Sequence, residues 1–261
     1  MKQNYEEVSA LQNYEIGQSY KVDKRVFHYS QATEALLLTY RLAMTDVPYL
    51  ATNEVAFTAL ATTLPVGTTQ VSVNTATFVG LGGAGIVAQD ELKGGYVELW
   101  SGVGVNQFMW RKIKSNLANA GAFTVVTLDR PINVPFGHAG PAPALQAQIC
   151  LHQPIYRAIT TLASVSIHFR VAAGVPPVPV PLATPFFWLQ TYGPVWLQSG
   201  GVPVQPLQAA NNNFVDVYAM EDTIQDLTLA LTAGISPQRI GHAMGAEAYG
   251  CNQIFLELDK G

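Results

Sequence analysis

Three glycines in VGLGGAGIVAQDE (Gly80, Gly82 and Gly85) spell the GxGxxG pattern of a dinucleotide-binding turn, with Glu98 downstream where a ribose-binding carboxylate would stand. That chemistry requires the glycines to open a helix whose N-terminus faces the pyrophosphate. Only Ile86 to Lys93 lie between the pattern and Gly94-Gly95. This is about two helical turns, too short for a βαβ crossover, and Asp90 and Glu91 stand where an apolar packing face is needed. The stretch reads as a glycine-rich hairpin loop. The five histidines, His28, His138, His152, His168 and His242, contain no HxH, HExxH or HxxxH pair. A metal site would have to be assembled in space, as in cupin-like barrels, so no metal is expected. There is no GxSxG elbow, and no Cys–His pair stands out locally. The carboxylates Asp90/Glu91, Glu221/Asp222 and Asp226 sit in turn-like polar contexts and read as solvated loop residues. Cys150 and Cys251 form no CxxC and pair only if the fold brings them together. They read as two buried free thiols, which fits a reducing compartment. No catalytic residue and no cofactor is expected, and the chain reads as a non-enzyme.

The aromatic residues carry more information. In FFWLQTYGPVWL, the alternation of a strand places Phe187 and Leu189 opposite Phe186 and Trp188, so both faces are apolar and both must be covered. Trp188, Tyr192 and Trp196 are therefore core or interface candidates, and the alternative use of such a cluster is an aromatic platform for sugar. Residues 1–30 hold Tyr5, Tyr14, Tyr20, Phe27 and Tyr29 without periodicity. They read as an extended arm that gains contact area by lying on a neighbouring subunit, which makes Tyr14, Tyr20, Phe27 and Tyr29 interface candidates.

The elements that must position these residues are mostly strands. Ser30 to Met44 is the one helix candidate: it has good helix formers, no Gly or Pro, and Ser30 as N-cap, and Pro48 lies beyond it. From Thr62 onward, TTQVSVNTATFV, GGYVELWSG, NQFMWRKIKS, AFTVVTLDRPI, LQAQICLH, SVSIHFRVAAG, NNFVDVYAM and NQIFLELDKG are short, rich in β-branched and aromatic residues, and bounded by Gly, Asn or Pro. Five prolines in residues 175–185 exclude a central strand there and predict a stiff connection or an edge. The fold class is all-β: sandwich or barrel domains of short antiparallel strands with an extended N-terminal arm and one short helix. The predicted divisions are an arm and helix over 1–60, a central β domain over 61–174, the proline-rich connection over 175–185 and a C-terminal β domain over 186–261.

Composition limits what such a fold does. The 261 residues carry a net charge of −4, and only 12% are charged while 49% are apolar. This excludes a disordered chain and a nucleic-acid binder acting through a basic surface. No apolar run reaches the ~18 residues of a membrane span, and the polar, acidic N-terminus is no signal peptide. A soluble protein made in a cytoplasm is expected. A surface with so few charges is poor at keeping a free monomer soluble and points to life in an assembly.

A resemblance sharpens this. Trp188, Gln190, Thr191, Gly193 and Pro194, followed by Ile240, Gly241, Ala243, Gly250 and the strand Ile254 to Leu258, resemble the C-terminal part of head decoration and auxiliary capsid proteins of tailed bacteriophages. GQSYKVDKRVFHYSQATEAL (Gly17 to Leu36) resembles an N-terminal segment of such virion proteins. VGTTQVSV, LKGGYVELWSG, RKIKSN and VVTLDRPI look like their central domain. The proline run at 175–185 and the polar stretch Val202 to Val215 depart from the pattern. The resemblance implies a virion structural protein on the capsid surface. It would cement capsomers by contact with the major capsid protein and with its own copies, as a trimer, without nucleic acid, membrane or cofactor. A head-fibre, tail or carbohydrate-binding adsorption role is the alternative. Gly193 and Gly241 are expected at turns where backbones approach closely.

Overall fold

The computed structural model describes residues 3–46, 57–60, 63–75, 79–80, 83–84, 86–101, 107–119, 122–137, 147–160, 170–198, 216–220, 223–225, 238–246 and 251–259. Among the described residues there are 18 strands and no helix. The strand pairings are antiparallel. The all-β reading is therefore correct. The chain forms two compact units, residues 1–46 with 156–261, and residues 47–155.

In the first unit, β1 (Ser19–Val22), β2 (Arg25–Gln31), β14 (Phe186–Gln198), β18 (Cys251–Glu257), β17 (Arg239–Ala246), β15 (Asp216–Met220) and β16 (Thr223–Gln225) form one sheet in that order. A second sheet runs β12 (Ile159–Thr160), β3 (Ala43–Asp46), β13 (Arg170–Gly174). Met44 and Ala172 of the small sheet share a buried cluster with Leu197, Val217, Ile240 and Leu256 of the large one, which makes the unit a sandwich. The 13-residue strand β14 is covered on both faces from Phe187 to Gly193, as its sequence predicts, while Pro194 and Trp196 nearer its end are exposed. Phe187 and Leu189 join Ala43, Ile159 and Val180, while Trp188 packs with Ile16, Phe27 and Tyr29.

Several expectations are corrected here. The predicted helix over Ser30–Met44 does not form. Ser30 pairs with Phe187 inside β2. Beyond it the backbone N–H groups of Ala32, Thr33 and Leu36 donate to the carbonyls of Pro185, Ile159 and Val180 instead of to residues four back. Helix preference is worth at most about 0.7 kcal/mol per ordinary residue. Burial of Leu36 and Leu42 in separate clusters, together with these long-range backbone bonds, outweighs it.

Residues 3–31 are not an arm awaiting a neighbour. β2 lies between β1 and β14, and Phe27 and Tyr29 are fully buried by their own chain. The buried Gln3 ties the segment down. Its amide donates to the carbonyls of Glu7 and Phe186, and its Oε1 accepts from Tyr29 Oη at 2.9 Å and Asn13 Nδ2 at 3.0 Å.

The predicted divisions at 60/61, 174/175 and 185/186 do not coincide with the two units, because the chain leaves the first unit at 46 and returns at 156. The proline run lies outside any strand. It is nonetheless bonded into the first unit by bridges from Val175 to Gln190 and from Val180 to Leu36. Gly193 and Gly241 lie within strands and not at turns. Gly193 has φ +99° and a side chain there would meet the Lys24 carbonyl oxygen at 2.7 Å, while one at Gly241 would run into the Phe255 carbonyl.

In the second unit, β4 (Phe57–Ala59), β11 (Gln148–His152), β8 (Tyr96–Ser101), β9 (Gln107–Asn116), β10 (Phe123–Leu128) and β5 (Gln70–Asn74) form a six-stranded sheet in that order. β5 shows the alternation read from TTQVSVN, with Val71 and Val73 buried. One sheet face, with Val97, Leu99, Ile113 and Ile149, packs under loop residues including Leu92, Ile132 and Phe136. Asn116 holds the turn over 86–95 in place. Its Oδ1 accepts from Leu92 N at 2.8 Å and its Nδ2 donates to the Ala88 carbonyl at 2.8 Å.

The GxGxxG stretch is a hairpin, as expected. β6 (Val79–Gly80) pairs with β7 (Gly83–Ala84), and residues 86–95 form turns with no helix to receive a phosphate. Gly82 and Gly85 lie outside the described residues.

Candidate functional site: the open face of the six-stranded sheet

Alternation along β8, β9 and β11 sends Val97, Leu99, Met109 and Ile149 into the core and Tyr96, Glu98, Trp100, Phe108, Trp110, Cys150 and His152 to the opposite face. Register then decides which of these meet. Cys150 stands opposite Glu98, and Glu98 opposite Trp110, in one row across three strands. The next row is His152, Tyr96 and Lys112.

Trp110 is the hub of an aromatic group. Phe108 and Tyr96 meet it edge-on with ring centroids 5.7 and 6.3 Å away, and the His152 ring lies 4.8 Å away at 35°. Tyr96, Phe108 and Trp110 are 46%, 54% and 42% exposed. Solvated faces of antiparallel sheets are ordinarily polar, so three neighbouring exposed rings set this face apart.

Beneath the rings lies a sheltered polar group. His152 Nε2 stands 3.1 Å from Glu98 Oε2, and the two side chains are only 15% and 13% exposed. Cys150 is fully buried, and donor atoms of Glu98, Cys150 and His152 all lie within 4.8 Å of one another. Burial pulls the imidazole of His152 below its ordinary range, against the opposing pull of Glu98. Burial first, and the Glu98 charge second, push the Cys150 thiol up to about 12. A thiol pushed that high is protonated near neutral pH, so Cys, His and Glu here do not form an activated nucleophile. What the three can do is ligate a soft or borderline metal ion.

A second cluster has the residue types of an acyl-transfer triad. In the first unit, His28 Nδ1 lies 3.1 Å from Thr191 Oγ1 and His28 Nε2 lies 3.5 Å from Asp259 Oδ2. The Tyr156 ring stacks on His28 at 4.3 Å, and its hydroxyl donates to Asp259 Oδ2 at 2.9 Å. Thr191 is fully buried and its hydroxyl reaches the Asp259 carbonyl at 3.0 Å. No substrate carbonyl can approach it, so this network fastens β2, β14 and the C-terminal segment together.

The sequence-predicted residues divide. Tyr14, Tyr20, Phe27, Tyr29 and Trp188 come together in the first unit. Trp188 is 2% exposed and lies about 5 Å from the rings of Tyr14, Tyr20 and Tyr29. Tyr192 is half-buried, edge-on to Phe255 at 5.1 Å. Trp196 is 46% exposed on the same strand, so of the two tryptophans proposed for a platform one is core and one is not.

Among the carboxylates read as solvated, Glu91 is a correction. It is buried and accepts the Ala88 N–H at 2.6 Å. Glu221, Asp222, Asp226, His138 and His168 lie outside the described residues. His242 stacks on Phe255 and stands 3.5 Å from Glu257. Cys150 is a free buried thiol.

Sequence reading missed the platform of Tyr96, Phe108 and Trp110, and the set of Glu98, Cys150 and His152. One signal was present: Cys150-Leu151-His152 on a strand puts thiol and imidazole on one face. Comparison with family models, curated proteins and solved structures finds no match for this chain.

Proposed function

We propose that the chain is a non-catalytic virion structural protein, a capsid decoration or cement protein that adds cohesion to a tailed-phage head. Its mechanism is burial of surface against the major capsid protein and against its own copies in a trimer. The observation that carries this reading is the exposed aromatic face of the six-stranded sheet, on a chain with only 12% charged residues. A stable association buries about 1,600 Å², and aromatic side chains supply much of the energy in such contacts. The sequence resemblance to decoration proteins supports the major capsid protein as the partner.

Particles lacking the protein should rupture at lower temperature, and added purified protein should restore them. Protein carrying Trp110→Ala should fold and fail to restore, since the ring is exposed and its loss removes contact, not core. The exposed rings beside Glu98 also suit a sugar, which is the adsorption reading. Depleted particles that stay robust and fail to adsorb to cells decide for it and against cement.

A further inference from the structure

We propose that Glu98, Cys150 and His152 are the three protein ligands of a zinc-class ion bound beneath Trp110, independently of the function proposed above. Two neighbouring strands present them. Cys150 and Glu98 are directly paired across β11 and β8, and His152 follows Cys150 on the same face. The hydrogen-bonded ladder therefore fixes the backbone positions of all three residues before any ion arrives.

Their spacing is close to what a tetrahedral ion needs. Bonds of about 2.0–2.3 Å to N, O and S place pairs of ligand atoms about 3.3 to 3.6 Å apart. His152 Nε2 and Glu98 Oε2 already stand 3.1 Å apart, and the whole set lies within 4.8 Å. A change of about an ångström, within reach of side-chain rotation, closes the site.

The charge also balances. A thiolate, a carboxylate and a neutral imidazole carry two negative charges, which a divalent ion cancels in a place where an uncompensated anion is costly. On binding, the thiol proton leaves to solvent and the imidazole keeps its remaining proton on Nδ1. Thiolate plus imidazole selects zinc over magnesium or calcium, which prefer all-oxygen sites. Three protein ligands leave one position for water or for a group brought by a partner. A bound ion would clamp β8 to β11 and set the platform above it.

The test is titration of the full-length protein with Co²⁺, the spectroscopic substitute for zinc. The expected result is one ion per chain, with visible bands of a tetrahedral site and a near-ultraviolet sulfur-to-cobalt charge-transfer band, all displaced by Zn²⁺. In Cys150→Ser the charge-transfer band is lost, and in His152→Ala binding is lost. Absence of binding to the wild-type protein overturns the proposal. So does binding without the sulfur band, which puts the ion elsewhere. Both decisive readings use the wild-type chain, so they do not depend on the variants folding.

Discussion

Replacing Trp188 by Ala should remove the keystone of the first unit. The indole is 2% exposed and stands on the face of β14 that carries the N-terminal segment. Truncating a buried aromatic residue to Ala costs about 3–5 kcal/mol. Two features, the ring contacts and the rigid walls of the hole, place Trp188→Ala in the upper half of that range, and a third adds little. The indole contacts three tyrosine rings, at 5.1, 5.1 and 5.4 Å, and aromatic pairs contribute about 0.5–1.5 kcal/mol beyond their area. Its Nε1–H donates to the Gln3 carbonyl at 3.3 Å, a long bond of small net worth. The hole would be walled by fully buried Phe27 and Tyr29, which sit on paired strands and cannot collapse far. An expected loss of about 4–5 kcal/mol is a large share of a total near 5–15 kcal/mol. The assay is urea unfolding followed by far-ultraviolet circular dichroism, with Trp188→Phe as the companion. The Phe variant keeps a ring in the site and should lose about half as much or less. A Trp188→Ala loss below about 1 kcal/mol, no more than an average point substitution costs, would refute the packing described here.

Deleting residues 1–18 removes Gln3, Tyr14 and Ile16 from that same cluster and should lower the midpoint of unfolding; an unchanged midpoint would restore the reading of a free arm. His28 should make the protein acid-sensitive. Burial holds its pKa below the ordinary 6.5, against the opposing attraction of Asp259, with Tyr156 stacked on the ring. The unfolded chain then takes up the proton first. Stability is full above pH 6.5 and falls as pH drops from there toward the folded value, by up to about 1.4 kcal/mol per pH unit. His28→Gln should flatten that part of a stability–pH curve. Gly193→Ala should cost about 1–3 kcal/mol by thermal or urea unfolding, because φ is +99° and the new methyl meets the Lys24 carbonyl; a neutral result would show that the backbone there relaxes.

What the sequence made legible was local. The two-residue period of TTQVSVN and the doubly apolar FFWLQTYGPVWL each name a strand and the faces it must cover, because alternation is a property of the chain itself. The glycine-rich hairpin was legible for the same reason: there was too little chain after it for a helix. The segment from Ser30 to Met44 was misread because propensity is a small local term and the backbone partners that displaced it, Val180 and Pro185, lie far along the chain. The N-terminal aromatics carried no period because they belong to turns and short strands around one indole. Glu98 and His152 were invisible as a pair, since only the register of β11 against β8 brings them together. Chain order also concealed the discontinuous first unit, whose central strands β2 and β14 come from opposite ends of the 47–155 insertion.

The open face of the six-stranded sheet also constrains the chemistry of what covers it. Along β9 the outward positions run Phe108, Trp110, Lys112 and Lys114, all exposed, so the face changes from aromatic to basic over four alternate residues. A partner that buries the rings must bring apolar groups to the Phe108 end and acceptors or carboxylates to the Lys114 end. Otherwise two ammonium groups lose water without compensation. Such a gradient fixes orientation as well as contact, because a partner turned end for end would set its acidic groups on the rings and its apolar groups on the lysines. A neutral sugar stacks on the aromatic end and can accept hydrogen bonds from the lysines, but brings no negative charge to balance theirs. The lysine end therefore favours a protein partner with one acidic and one apolar edge, and it is the feature of this face that weighs for the cement reading over the adsorption reading.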